Sequence, residues 1–166
     1  MRMARLSISI GIFMLVVLGC NGSAPPPPAA PVATQFNTGL TMRQLMDWVL
    51  DPTADAVWAS VGTIITAEGQ QDIAPKTDEE WNAVRNNAAL LIEAGNLLML
   101  EGRAVNQQDW INKARAMSDA AKVVLEAAQV KDAAAVFTAG SDMYLTCSAC
   151  HAVYIFADEQ TTAEKK

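Results

Sequence analysis

From Leu40 to Tyr154, apolar residues recur at alternating intervals of three and four, the repeat that gathers them on one face of an α-helix. The clearest series is Trp81, Val84, Ala88, Leu91, Gly95 and Leu98. A second runs Trp110, Ala114, Met117, Ala121, Val124 and Ala128, and a third Val136, Gly140, Met143, Cys147, Cys150 and Tyr154. Each predicts a long helix with one inward seam. Just ahead of the first series, Thr77-Asp78-Glu79-Glu80 has the form of a capping box, with Thr77 at the N-cap and Glu80 reaching back to it. Earlier, Met42, Leu45, Met46 and Val49 share a face of a short helix that should break at Asp51-Pro52. Pro52 then opens a new segment carrying Val57, Trp58, Val61 and Ile65, with Asp51 as its cap. A polar loop is expected around residues 69–76. No alternating strand pattern and no internal repeat is visible. Short connections between the helices then predict an all-α fold, an antiparallel four-helix bundle with the Cys-x-x-Cys-His cluster on its last helix.

The flanks follow a different pattern. Arg2 and Arg5 precede an apolar run from Ile8 to Leu18 that closes on Gly19-Cys20, the charge, apolar core and small residue of a secretory signal over residues 1–19. The run is shorter than the roughly 20 apolar residues that span a membrane. Val17-Leu18-Gly19-Cys20 resembles the lipobox of bacterial lipoproteins. That resemblance implies a lipid on Cys20 and anchoring at the periplasmic face of a bacterial membrane, with Asn21 favouring the outer one. Residues 20–39, rich in Pro, Ala and small polar residues, predict an extended tether. Residues 40–158 remain as one domain, within the roughly 100–150 residues that close a single core, and residues 159–166 form a polar tail.

Charge narrows the partners. The chain carries a net −6, and loss of residues 1–19 with their two arginines takes it to −8. Nucleic acid is therefore not an expected partner, whereas a protein with a basic docking patch is.

Cys147-Ser148-Ala149-Cys150-His151 holds two of the three cysteines and the only histidine. Thiols at i and i+3 can form thioethers to the two vinyl groups of one haem, and the adjacent histidine can reach its iron. That chemistry uses all three residues. A thioredoxin-like dithiol would want the Cys-x-x-Cys beside a strand in an α/β unit, and a structural disulfide suits an oxidising compartment. Neither uses His151. Zinc needs four ligands, and with Cys20 lipidated no other Cys or His completes the set. No catalytic constellation competes, since Asp78, Glu79 and Glu80 serve a helix start; an enzyme is not expected.

With this motif near the end of a four-helix domain behind a signal peptide, the chain resembles the class II cytochromes c, the family of cytochrome c′, over residues 40–154. The resemblance implies one haem c held by Cys147 and Cys150, with His151 on the iron. Class I cytochromes place a methionine ligand after the motif; here no methionine follows His151. Class II members commonly carry Arg or Lys four residues after the histidine, where this chain has Ile155, while Tyr154 matches their aromatic residue. Low-spin members take a methionine from the first helix, shortly after a basic residue. In Met42-Arg43-Gln44-Leu45-Met46 this implies Met46 as the sixth ligand, with Met42 in reserve. Met143 lies on His151's own helix, on the wrong side of the haem. Met99 and Met117 read as core filler. Trp48, Trp58, Trp81 and Trp110 read as core, Trp48 being close enough in sequence to Met46 to be a candidate for the haem cleft.

His/Met ligation implies a single-electron carrier with a raised potential. Without Met46 the same fold implies a five-coordinate binder of nitric oxide or carbon monoxide. A helical lipoprotein with a Cys147–Cys150 disulfide and no haem stands as the third reading. Relatives in the family also imply a homodimer.

Overall fold

The computed structural model describes residues 36–156; the signal-like segment, Cys20, the tether as far as residue 35 and the tail from residue 157 lie outside them. The described residues are mostly helical, with one small two-stranded sheet.

Thr41 opens the first helix with a capping box. Its hydroxyl accepts from the Gln44 N–H at 3.2 Å, and the Gln44 side chain accepts from the Thr41 N–H at 3.0 Å. Helix α1 (Met42–Leu45) runs into a π-helical stretch (Met46–Leu50) and on into α2 (Asp51–Trp58). The break expected at Asp51-Pro52 is absent: Leu50 and Asp51 both keep right-handed helical dihedrals, and no side chain caps α2. A proline inside a helix removes an N–H and crowds the carbonyl four residues back. Here the Asp51 N–H donates to the Met46 carbonyl five residues back. This wider turn immediately before Pro52 takes up the misfit.

A second correction concerns residues 62–73. Instead of a helix end and a polar loop, β1 (Gly62–Thr66) pairs antiparallel with β2 (Gly69–Ile73), Gly62 opposite Ile73 and Thr66 opposite Gly69. The β-branched run Thr63-Ile64-Ile65-Thr66 favours extended backbone. Gly69 supplies the positive φ, 138°, needed after the two-residue turn. Ile65, expected on an inward helix face, is 78% exposed.

The three long helices follow the expected seams. In α3 (Asp78–Met99) and α4 (Gln107–Gln129) every residue of the two predicted series is buried. In α5 (Ala133–Tyr154) the seam is buried through Met143 and half-buried from Cys147 onward. The predicted Thr77–Glu80 capping box starts α3. At the other end of α3, two carbonyls beyond the reach of helical N–H donors are taken by side chains: Arg103 Nη1 donates to Leu97 at 3.0 Å and Trp110 Nε1 to Leu98 at 2.8 Å.

Contacts between α3 and α4 run in opposite numerical order: Leu98 with Trp110, Ile92 with Ser118, Arg85 with Ala128. The two helices are therefore antiparallel. Their close approach depends on Gly95, where an added Cβ would lie 1.9 Å from Ser118 Oγ. A three-residue turn then reverses the chain. Lys131 takes the left-handed conformation (φ 58°), its N–H donates to the Ala128 carbonyl, and the Asp132 N–H donates to Ala127, a Schellman closure of α4. The Asp132 carboxylate accepts from the Ala135 N–H at 2.9 Å and so caps α5. These local signals bring the C-terminal half of α5 back beside the start of α4, where Tyr154 Oη donates to Asp109 at 2.9 Å.

Buried side chains form two apolar clusters. One joins α2, α3, α4 and α5 around Val57, Trp81, Leu91, Val124, Val136 and Met143. The other joins the first helical segment to α3 and α4 around Leu45, Leu50, Leu98, Trp110 and Met117. What separates them is a cavity.

Candidate functional site

The cavity measures about 450 Å³ and is lined from both clusters, by Leu91 and Ala54 on one side and by Leu50, Leu98, Ala114 and Met117 on the other. Protein interiors pack at crystal density, with few voids larger than a water molecule. A cavity of this size belongs instead to the range of roughly 300–1,000 Å³ that encloses a cofactor-sized group. It reaches the surface at Asp51, Tyr144 and Phe156, all exposed.

Cys147, Cys150 and His151 line it from the last two turns of α5. Met46 lines it from the first residue of the π-helical stretch. Met46 and the Cys147, Cys150 and His151 group, about a hundred residues apart in sequence, thus meet at one cavity. A π-helical turn is rare and is frequent at functional sites, because it rotates the side chains at its start relative to those beyond.

The remaining methionines separate. Met42 packs on the cluster beside the cavity without lining it, as does Met99. Met143 is fully buried in the other cluster. Met117, read from the sequence as core filler, is buried and also lines the cavity. The tryptophans redistribute as well. Trp48, read as core or cleft, is 61% exposed and does not line the cavity. Trp48 follows Met46 by two residues in the π-helical stretch, close to half a turn, so the two side chains face opposite ways. Trp58 and Trp110 line the cavity instead. Trp58 Nε1 donates to the Gly140 carbonyl at 2.9 Å, tying α2 to α5, and its ring meets Tyr144 edge-on with centroids 5.6 Å apart. Helical spacing had marked both tryptophans as inward; it carries no signal that separates a cavity wall from a filled core.

Both thiols are free and half-buried. Burial pushes the pKa of each upward, more than the hydrogen bond at Thr146 lowers Cys147 or the Lys113 charge lowers Cys150. They are therefore held as neutral thiols. Tyr154 closes this end of the site. Its ring packs edge-on against Trp110 at 4.8 Å, and desolvation together with the hydrogen bond to Asp109 pushes its hydroxyl up to about 12. Asp109 also meets Lys113 Nζ at 3.8 Å, and Lys113 lines the cavity.

Among the described residues no three His, Cys, Asp or Glu side chains converge as a metal-ligand cluster. This donor set would leave a bare tetrahedral ion short of ligands, whereas a flat macrocycle brings four of its own. The fit to such a group is direct: apolar walls for its faces, two neutral thiols at i and i+3, a histidine one residue on, and a thioether sulfur from another helix. No helix among the described residues is long and apolar enough to cross a membrane. Comparison with known protein families, with characterised proteins and with solved structures finds no match for this chain.

Proposed function

We propose that this protein is a monohaem c-type cytochrome that carries single electrons, built as an antiparallel four-helix bundle of the class II kind. The observation that carries the reading is the meeting of Met46 with Cys147, Cys150 and His151 at one largely apolar cavity. Cys147 and Cys150 would hold haem c covalently, His151 would ligate its iron, and Met46 would supply a second protein ligand to it. Bound there, the haem supplies an iron that changes oxidation state by one electron, at a potential raised by a thioether ligand.

The chain's own residues account for the rest. Leu91, Leu98, Ala114 and Met117 exclude water from the cavity walls, which favours the less charged state of a bound group. Tyr154 and Asp109 fasten the last turn of α5 to the first turn of α4, fixing the helix end that carries His151. Asp47, Asp51 and Asp55 are exposed and lie at intervals of four along the first helical segments, and Asp51 lines the cavity at its mouth. That acidic row suits a redox partner with a basic patch. With Cys20 lipidated and residues 20–39 as a spacer, the bundle would work at the periplasmic face of a bacterial membrane, alone or as a homodimer.

The dithiol reading is less well supported. Reactive Cys-x-x-Cys pairs have their thiol pKa lowered, commonly at a helix N-terminus. Here both thiols lie near a helix C-terminus and are raised by burial.

Met46→Ala tests the electron-carrier assignment. Wild type is expected to be low-spin, to bind carbon monoxide poorly when reduced, and to show the weak sulfur-to-iron charge-transfer band at the red end of the oxidised spectrum. The variant should lose that band, bind carbon monoxide readily and fall in potential. Should the wild type itself be high-spin and bind carbon monoxide readily, the apolar cavity is that of a five-coordinate gas binder.

A further inference from the structure

Lys113 is the only lysine or arginine among the described residues that line the cavity. Its side chain is only 21% exposed, and lysine is seldom buried without a partner. The partner it has is distant: Asp109 Oδ1 lies 3.8 Å from Nζ, against about 2.7–2.9 Å for a close charge-assisted hydrogen bond. An ammonium has three protons to donate. Asp109 at that distance takes none of these protons in a close hydrogen bond, which leaves them for an acceptor in the cavity or for water.

Its surroundings hold it there. Asp109 receives Lys113 on one carboxylate oxygen and the Tyr154 hydroxyl on the other, at 2.9 Å. Tyr154 is in turn packed on Trp110, the residue following Asp109 on α4. Residues 152–156, directly after His151, contain no cation.

We infer that Lys113 supplies the cation for this cavity, with Asp109 and Tyr154 as the pair that positions it. The inference rests on the haem reading above. Reduction adds one electron, delivered by the redox partner, and a fixed positive charge nearby favours the state that carries it. Lys113 thus raises the potential from α4 instead of from the residues after the histidine.

Potentiometric titration of the full-length, haem-loaded protein tests this, with a pyridine haemochrome assay first on every variant. Lys113→Met should shift the reduced-to-oxidised ratio at a fixed applied potential toward oxidised on the order of tenfold, a tenfold change being 59 mV for one electron. Lys113→Arg should stay close to wild type. Asp109→Asn should move the potential the opposite way, because it removes an anion from beside the same site. A purely structural role for Lys113 would not give shifts of opposite sign from the two members of the pair. An unchanged potential in haem-loaded Lys113→Met overturns the inference. Should that variant fail to fold, an unchanged potential in haem-loaded Lys113→Gln, which removes the charge and keeps a polar head, overturns it equally. A wild type without covalent haem overturns the cytochrome reading itself, and the haemochrome assay shows this before any titration.

Discussion

Replacing Gly95 with alanine should destabilise the protein by about 2 kcal/mol, although alanine is the better helix former by about 1 kcal/mol. The added Cβ would lie 1.9 Å from Ser118 Oγ, 3.2 Å from the Ala114 carbonyl oxygen and 3.3 Å from Ser118 Cβ. The hydroxyl can rotate away, but only by giving up its 3.1 Å bond to the Ile92 carbonyl. Ser118 is 8% exposed, so its hydroxyl would be left unpaired inside the protein, at about 1–3 kcal/mol. The other two contacts are to backbone and Cβ and have no rotamer to escape to. They force α3 and α4 apart by a few tenths of an ångström, at about 1–3 kcal/mol of overpacking. Taking the low to middle part of each range and subtracting the propensity gain leaves a net loss near the stated figure. Thermal and urea unfolding by circular dichroism measures it, with a fall in Tm of about 8 °C at roughly 4 °C per kcal/mol. Ser118→Ala sharpens the test, since it removes the clashing oxygen. In the double variant the losses should be less than additive by about 1 kcal/mol. A Gly95→Ala protein as stable as wild type, or strictly additive losses, would refute the close-approach account. Leu91 and Leu98 flank Gly95 and line the cavity, so a separation of these helices should also loosen whatever the cavity holds.

Other perturbations test the supports of the site. Thr77→Ala removes the capping box at the start of α3 and should cost about 1 kcal/mol in chemical unfolding, with Thr77→Ser close to wild type. Trp110→Phe removes the buried donor to the Leu98 carbonyl and should cost about 1–3 kcal/mol. The same variant should weaken the fluorescence signature of a tryptophan held against Tyr154. The Asp78–Lys131 ion pair gives a pH dependence. The Lys131 hydrogen bond and charge hold the Asp78 carboxyl below its usual value, so the pair stabilises the folded state above the ordinary carboxylate pKa and loses that contribution as the pH falls through the lowered one. Lys131→Met should accordingly be less stable than wild type at neutral pH in low salt, with the difference shrinking toward acid and in high salt. A difference that persists unchanged at low pH would point to the alkyl stem instead of the charge.

The long helices were legible because burial imposes one period on them. Residues from Trp81 to Leu98 and from Trp110 to Ala128 must each share a face, and that repeat survives in the sequence whatever the loops do. The capping box at Thr77 was legible for a similar reason, its partners being three residues apart. What failed involved competition between local preferences. Pro52 reads as a helix break, yet the π-helical turn before it satisfies the chain around the missing N–H, and nothing in the residue types announces that turn. Ile65 fits a helical spacing with Val57 and Val61, but the four β-branched residues from Thr63 to Thr66 outweigh it.

The site divides in the same way. Cys147, Cys150 and His151 are adjacent and could be read as one unit, and the structure places Met46 at the same cavity. Met117, Trp58 and Trp110 could not be told from core, because the same apolar side chains that fill a core also wall a cavity. Trp48 shows the reverse: nearness to Met46 in sequence suggested the cleft, and helix rotation puts it in solvent. Lys113 was silent because its place at the cavity depends on α4 lying beside the end of α5, a relation set by the turn at Val130 to Asp132.

The most direct test of the cytochrome reading is the intact mass of the protein matured in a host that attaches c-type haem, read together with its reduced absorption spectrum. The account predicts one haem per chain that survives denaturation, lost when both Cys147 and Cys150 are changed to Ser. A polypeptide mass with no haem, or one lighter by two hydrogens from a Cys147–Cys150 disulfide, would contradict it.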